Sequence, residues 1–279
     1  MTSYDLNELQ KWYYLHYQSK LFSNKSFSIE KPDPFDGIEL HTIGNPGWFV
    51  KINLNKTVFE NHSFASNEID RTEDDWCYTY PKNHTFEGAG GIHNLTEILT
   101  TFQQSIGTQY ENNELTQSQR LDTTRLENWY AQVQNPEWDE SIYLTIYSVA
   151  NQGWVFKVET IDTPCEDRDF PEVNIDRLNG SWYHCFVADW HFVGFGGVFN
   201  LVDMVRTYLD WADQCKRDTS EPSNELRWTT GVAFHGDDAK THFNKVTKEY
   251  LPGPHMHDRA TPGGTRIPEP EELPAGYTS

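Results

Sequence analysis

Two runs of carboxylates are the residues in this chain best suited to meet another molecule. Glu68, Asp70, Glu73, Asp74 and Asp75 lead up to Trp76; Glu166, Asp167, Asp169, Glu172 and Asp176 lead up to Trp182. Both runs read as the longest strand connection of their segment, poor in apolar residues. Such groups do no chemistry alone. They pair with Arg and Lys of a basic partner, or imitate nucleic-acid phosphates, and so raise association rate and specificity, while buried aromatic side chains supply more of the affinity. A solvated loop is the plainer reading of the same residues.

Three other arrangements carry residue types capable of catalysis or ligand binding. His255, His257 and Asp258, with His235, Asp237, Asp238 or His242, have metal-ligand chemistry, and imidazoles two apart in an extended segment point to one side. A metal-dependent hydrolase built on them is the alternative enzymatic reading. The surrounding Pro and Gly give those ligands no rigid support, so neither metal nor other cofactor is expected. Cys185 sits beside His184, but neighbours on a strand face opposite ways, so no thiol–imidazole pair is expected. Glycines 88, 90 and 91 precede Asn94 and an apolar run. A phosphate cradle would need a following Gly-Lys-Ser/Thr, which is missing, so a turn feeding a capped helix is the expected structure.

The elements that carry these residues occur twice. The stretch Phe86 to Leu95 recurs as Phe192 to Leu201, 106 residues on. Asn45, Gly47 and Trp48 recur at Asn151, Gly153 and Trp154; Ile69-Asp70-Arg71 recurs at Ile175-Asp176-Arg177. From Ile38 to Phe102 no gap is needed and 18 of 65 positions are identical. So long a period means two copies of a small domain rather than a solenoid. Leu9, Trp12 and Tyr13 return at an offset of 117, as Leu126, Trp129 and Tyr130. The first copy therefore carries an insertion, placed in the proline-containing stretch Lys25 to Phe35.

Each copy reads as helix, four or five antiparallel strands, helix. In the first copy the expected elements are a helix over 4–18; strands at Ile38–Ile43, Trp48–Leu54, Thr57–Phe64, Trp76–Tyr80 and Phe86; and a helix from Leu95, capped by Asn94 with Glu97 three residues on. The second copy repeats this, with Thr163–Phe170 matching Thr57–Phe64. The fold class is α+β: two tandem homologous domains, each an antiparallel sheet with N- and C-terminal helices packed on it. The expected division is 1–108, a polar linker 109–124, 125–217, and an appendage 218–279. In the appendage a strand is expected at Leu226–Phe234 and a helix at Asp238–Tyr250, then an extended, partly disordered Pro/Gly-rich end. The repeated Asp-Arg pair (Asp70-Arg71, Asp176-Arg177) reads as structural, a salt bridge to the neighbouring helix.

Charge narrows the partners. There are 22 Lys and Arg against 42 Asp and Glu, a formal net charge of −20. Direct nucleic-acid binding is disfavoured, because phosphate contacts need a basic surface. A basic protein partner is favoured. No segment reaches 18 consecutive apolar residues, so no membrane span is expected. The start Met1-Thr2-Ser3-Tyr4 lacks the pattern of a secretory leader, and four cysteines without scaffold spacing read as reduced thiols; a cytoplasmic location is expected.

Taken in order, Leu9, Trp12 and Tyr13; Asn45 to Ile52; Trp76; and Phe86 to Leu99 resemble the immunity protein 53 family, bacterial proteins encoded beside polymorphic toxins. The second copy matches with Leu126, Trp129 and Tyr130; Trp138 and Asp139; Asn151, Gly153 and Trp154; and Phe192 to Leu201. Family members are usually one copy long, and here Gln152 replaces the proline of the Asn-Pro-Gly-Trp turn. The resemblance implies a non-catalytic protein that binds and neutralises a cognate toxin domain, a nuclease among the candidates. Its expected contact residues are Glu68, Asp70, Glu73, Asp74, Asp75, Glu166, Asp167, Asp169, Trp138 and Asp139. An acidic DNA mimic that inhibits a defence protein is a further alternative.

Overall fold

The computed structural model describes residues 4–17, 37–44, 46–82, 84–107, 120–134, 141–149, 153–177, 181–220, 242–244 and 249–251. The first half runs α1 (Leu6–Tyr17), β1 (Ile38–Ile43), β2 (Gly47–Asn53), β3 (Asn67–Asp70), β4 (Trp76–Lys82), β5 (Thr85–Gly91), α2 (Leu95–Ile106). The second repeats it as α3 (Thr123–Val133), β6 (Leu144–Val149), β7 (Gly153–Glu159), β8 (Val173–Asp176), β9 (Trp182–Ala188), β10 (His191–Gly197), α4 (Leu201–Ser220). Each half is thus an antiparallel sheet with a helix at either end, as the sequence predicts. The two sheets are continuous: one ten-stranded sheet has the order β3-β4-β5-β2-β1-β6-β7-β10-β9-β8, joined at the middle by β1 and β6. These elements belong to the compact unit Met1–Leu226.

Alternation along the strands decides the core. Trp48, Val50 and Ile52 of β2, Leu40 of β1, Ile146 of β6 and Trp154, Phe156 and Val158 of β7 are buried with Leu6, Leu9, Trp12 and Tyr13 of α1 and Leu126, Trp129 and Tyr130 of α3. Leu95, Ile98, Leu99 and Phe102 of α2, spaced for one helix face, join them, as do Leu201, Met204, Val205 and Tyr208 of α4. The helices therefore cover one face of the sheet. The four cysteines are free and buried.

Several expectations are corrected. The repeated glycines form no turn; they lie inside β5 and β10. A side chain at Gly88 would place a Cβ 2.5 Å from Cγ2 of Ile98, and one at Gly91 would collide with the Asp74 carbonyl. The glycines let α2 and the chain before β4 approach the strand closely. Asn94 does occupy the N-cap position of α2, but its side chain makes no cap hydrogen bond. Its Oδ1 accepts from the Trp76 amide (3.3 Å), and its Nδ2 donates to Asp75 (3.0 Å) and Glu97 (3.1 Å). The cap comes from α3 instead: Glu127 accepts from the Thr96 amide at 2.7 Å.

Thr57–Phe64 and Thr163–Phe170 are turns rather than strands. The hydroxyls of Thr57 and Thr163 fold back onto the carbonyls of Leu54 and Thr160, each at 2.6 Å, which competes with strand pairing. The actual third strands, β3 and β8, are four residues long and lie inside the presumed acidic loops. In the unit Arg227–Ser279 the expected helix over 238–250 is contradicted by β11 (His242–Asn244) paired antiparallel with β12 (Glu249–Leu251), Phe243 opposite Tyr250. Thr241, Phe243, Val246, Thr247 and Tyr250 are β-branched or aromatic and favour strands. The expected strand at Leu226–Phe234 lies outside the described residues.

Candidate functional site

The structure separates the two carboxylate runs. β3 and β8 are the outer edges of the sheet, at opposite ends. Glu68 and Asp70 sit on β3 with exposed side chains, and Asp70 accepts from the Tyr78 hydroxyl at 2.9 Å. Glu73 and Asp74 are exposed in the bend that follows. Asp75 is committed to structure. It accepts from Asn94 and, at 2.6 Å, from Arg71, and these hold its carboxyl below the usual carboxylate range, the Asn94 bond first. Arg71 also pairs with Glu97 of α2 at 2.5 Å. In the second half Arg177 pairs with Asp203 of α4 at 3.3 Å. The repeated Asp-Arg motif is thus the strand-to-helix tie expected of it.

Glu166, Asp167 and Asp169 lie elsewhere, in the turns between β7 and β8. All three are exposed, and Glu166 accepts from the Asp162 amide at 3.1 Å. By the 106-residue offset they match the stretch Glu60 to Ser63, and the counterparts of Glu73, Asp74 and Asp75 are Asn179, Gly180 and Ser181. Two of these positions keep their charge in both copies: Asp70 with Asp176, and Glu166 with Glu60. Trp138 and Asp139 lie outside the described residues, as do His255, His257 and Asp258.

The face opposite the helices has its own pattern. Strand register aligns Tyr80, Glu87, Lys51, Glu39, Tyr147, Val155, Phe195 and His184 in one row across it. The first half of this row is charged and the second half is apolar and aromatic. His184 meets Glu172 at 2.6 Å, turned away from Cys185, which faces the helix-side core. Trp182 starts β9 opposite Asp176 and is 41% exposed, whereas its counterpart Trp76 is 1% exposed.

One group had no sequence expectation attached. Asp189 and Trp190 form the two-residue connection between β9 and β10, with φ of 48° and 56°. Such a hairpin turn ordinarily takes Asn-Gly, because L side chains resist positive φ. Trp190 is 38% exposed, and its carbonyl accepts from the Thr160 amide at 2.8 Å, which extends the β7–β10 ladder to Thr160, where the Glu166 turn begins, as the Leu54 amide and His84 carbonyl do in the first half. Asp162 and Asp167, in that turn, also have positive φ, 58° and 54°. The readable signal was a Trp where a tight hairpin calls for glycine.

Among the described residues no group of three or more His, Cys, Asp and Glu is placed to hold a metal ion. Burial pushes the thiols of Cys77 and Cys185 up to about 12, away from the thiolate form a nucleophile needs. The imidazoles of His62 and His84 engage the backbone carbonyls of Ser105 and Glu60 at 2.9 and 2.8 Å. No described helix is long and apolar enough to cross a membrane.

No curated protein and no solved structure matches the chain. A family model described as immunity protein 53 does match, once over residues 6–107 and again over residues 123–213, the two halves of the ten-stranded sheet. The chain belongs to the immunity protein 53 family and carries two tandem copies of its domain.

Proposed function

We propose that this protein binds a cognate bacterial toxin domain, without catalysis, and neutralises it by covering its active site or substrate path, and that the second half provides most of the contact. The family supports the toxin-immunity role. One observation carries the choice of surface. In the second half two exposed tryptophans, Trp182 and Trp190, have exposed carboxylates beside them, Asp176 opposite Trp182 and Asp189 preceding Trp190, and the turn that carries Glu166 begins at Thr160, whose amide donates to the Trp190 carbonyl. Tryptophan is favoured where a few residues carry most of an interface's affinity, and flanking charge sets rate and specificity. A net charge of −20 favours a basic toxin surface. If the toxin is a nuclease, its substrate groove is basic and these carboxylates compete there directly. The interaction takes place in the cytoplasm and involves no nucleic acid on the side of this protein.

The test is a pull-down between the full chain and the product of the adjacent toxin gene, followed by a toxicity assay. A one-to-one complex that silences the toxin is expected. Trp190→Ala and the triple change Glu166→Gln, Asp167→Asn, Asp169→Asn should each weaken it, the triple chiefly in association rate and salt dependence. The same neutralisation at Glu68, Glu73 and Asp74 should do less. Absence of any complex sinks the functional reading; equal loss from both ends sinks the assignment to the second half.

A further inference from the structure

We infer that the seam between the two halves is an isologous subunit interface closed within one chain, so that each half presents a surface built to receive a second, homologous half. In such an interface, residue i of one partner meets residue j of the other and j meets i. The repeat offsets of 106 in the sheet and 117 in the first helices make this checkable contact by contact.

The sheet contacts obey it. β1 and β6 pair with Leu40 opposite Ile146, which are repeat equivalents, and with Glu39 opposite Tyr147 and His41 opposite Thr145 on either side. A twofold axis therefore passes between Leu40 and Ile146. The Ile38 amide donates to Ser148 Oγ at 2.8 Å, and the Leu144 amide donates to Thr42 Oγ1 at 2.9 Å, each the mirror of the other. At the chain starts Asp5 bridges its equivalent Asp122. The Leu6 amide donates to Leu121 O at 3.0 Å, and the Thr123 amide to Tyr4 O at 2.9 Å.

The first helices span the seam: Trp12 of α1 meets Phe102 of its own half and Trp129 of α3 meets Tyr208 of its own half, while the tyrosines reach across. Tyr13 of α1 lies on Trp154 of the second half, ring centroids 4.8 Å apart, and its hydroxyl donates to Val149 O at 2.8 Å. Tyr130 of α3 lies on Trp48 of the first half at 4.9 Å, and its hydroxyl donates to Ile43 O at 3.5 Å. Gln10 of α1 caps α4 by accepting from the Val202 amide at 3.0 Å; Glu127 of α3 caps α2. A half on its own would therefore leave a central strand edge unpaired, a buried tryptophan face bare and a helix start uncapped. Each costs free energy, so the partner chemistry that fits is another half of the same kind.

The experiment keeps the full chain. A specific protease site is inserted between Thr108 and Gln119, and the purified protein is cut there. The two fragments should elute together at the volume of the uncut chain. The urea midpoint, independent of concentration before cutting, should rise with protein concentration afterwards, as for any two-chain complex. In the cut protein Gln10→Ala should raise the dissociation constant at least fivefold. Fragments that separate in native buffer overturn the inference, as does a midpoint that stays independent of concentration after cutting or a Gln10 substitution without effect. Toxin binding is read on the uncut chain, so the two proposals fail separately.

Discussion

Replacing Glu127 by Gln should stabilise this protein at pH 8 and give no gain at pH 4.5. Glu127 is 4% exposed. Burial is the largest influence on its carboxyl and pushes it up to about 7 from an ordinary 4.5; hydrogen bonds from the Thr96 amide and hydroxyl oppose this, and nearby Asp122 adds to it. A carboxyl raised in the folded state favours folding fully below its unfolded value. That contribution is lost as pH rises through the folded value. Between 4.5 and about 7, at ~1.4 kcal/mol per pH unit, the loss is about 3 kcal/mol. The other copy shows the neutral solution, since Gln10 accepts from the Val202 amide in the equivalent place. A Gln amide nitrogen still needs an acceptor beside α2, which reduces the expected gain to ~1–3 kcal/mol. Urea unfolding of both proteins at half-unit steps from pH 4.5 to 8.5 gives the difference directly, and contributions from histidines and surface carboxylates cancel. A difference that stays flat over that range refutes the reasoning. So does one that turns against Gln as pH rises, which would mean that the α2 N-terminus stabilises the charge more than burial penalises it.

The remaining predictions concern packing, strain and reactivity. Gly91→Ala should cost ~2–3 kcal/mol in urea unfolding, because its Cβ meets the backbone carbonyl of Asp74, which a side-chain rotation cannot relieve. Trp190→Gly should change stability by less than ~1 kcal/mol, since relief of the positive φ offsets lost contact, yet weaken toxin binding about tenfold or more; unchanged affinity would remove Trp190 from the interface. Arg71→Ala should cost less than ~1 kcal/mol despite three close carboxylate contacts, because the guanidinium is 41% exposed and solvent screens the pairs. Cys77, Cys165, Cys185 and Cys215 should ignore a thiol reagent at pH 8 in native buffer and all react in urea.

Local pattern made most of the elements readable. Leu95, Ile98, Leu99 and Phe102 announce α2 by spacing alone, and the alternation in Ile38–Ile43 announces β1. The same kind of evidence misled at Thr57–Phe64, where β-branched and aromatic residues belong to a chain of turns closed by a threonine hydroxyl, and at the glycines of β5. There the absent side chain serves a helix crossing above the strand, which nothing within the strand reveals. The acidic runs were legible as composition and illegible as a site. Counting residues before a tryptophan aligned Glu166–Asp169 with Glu73–Asp75, and the sheet order sets the two at opposite ends.

The sequence by itself determined that this is a duplicated α+β chain, because a gap-free repeat of 65 positions and helical or alternating apolar spacing are properties of the chain alone, and its match over residues 6–107 and 123–213 placed it in the immunity protein 53 family. Only the tertiary structure decided that the two copies share one sheet, lay their first helices across the seam and cap one another's last helices. Those contacts join residues 31 to 192 positions apart, across a twofold relation that no local window of sequence contains. Burial there, rather than residue type, raises the Glu127 carboxyl, and near the outer edges of the sheet, on β4 and β9, it is again the structure that leaves Trp182 open where Trp76 is closed.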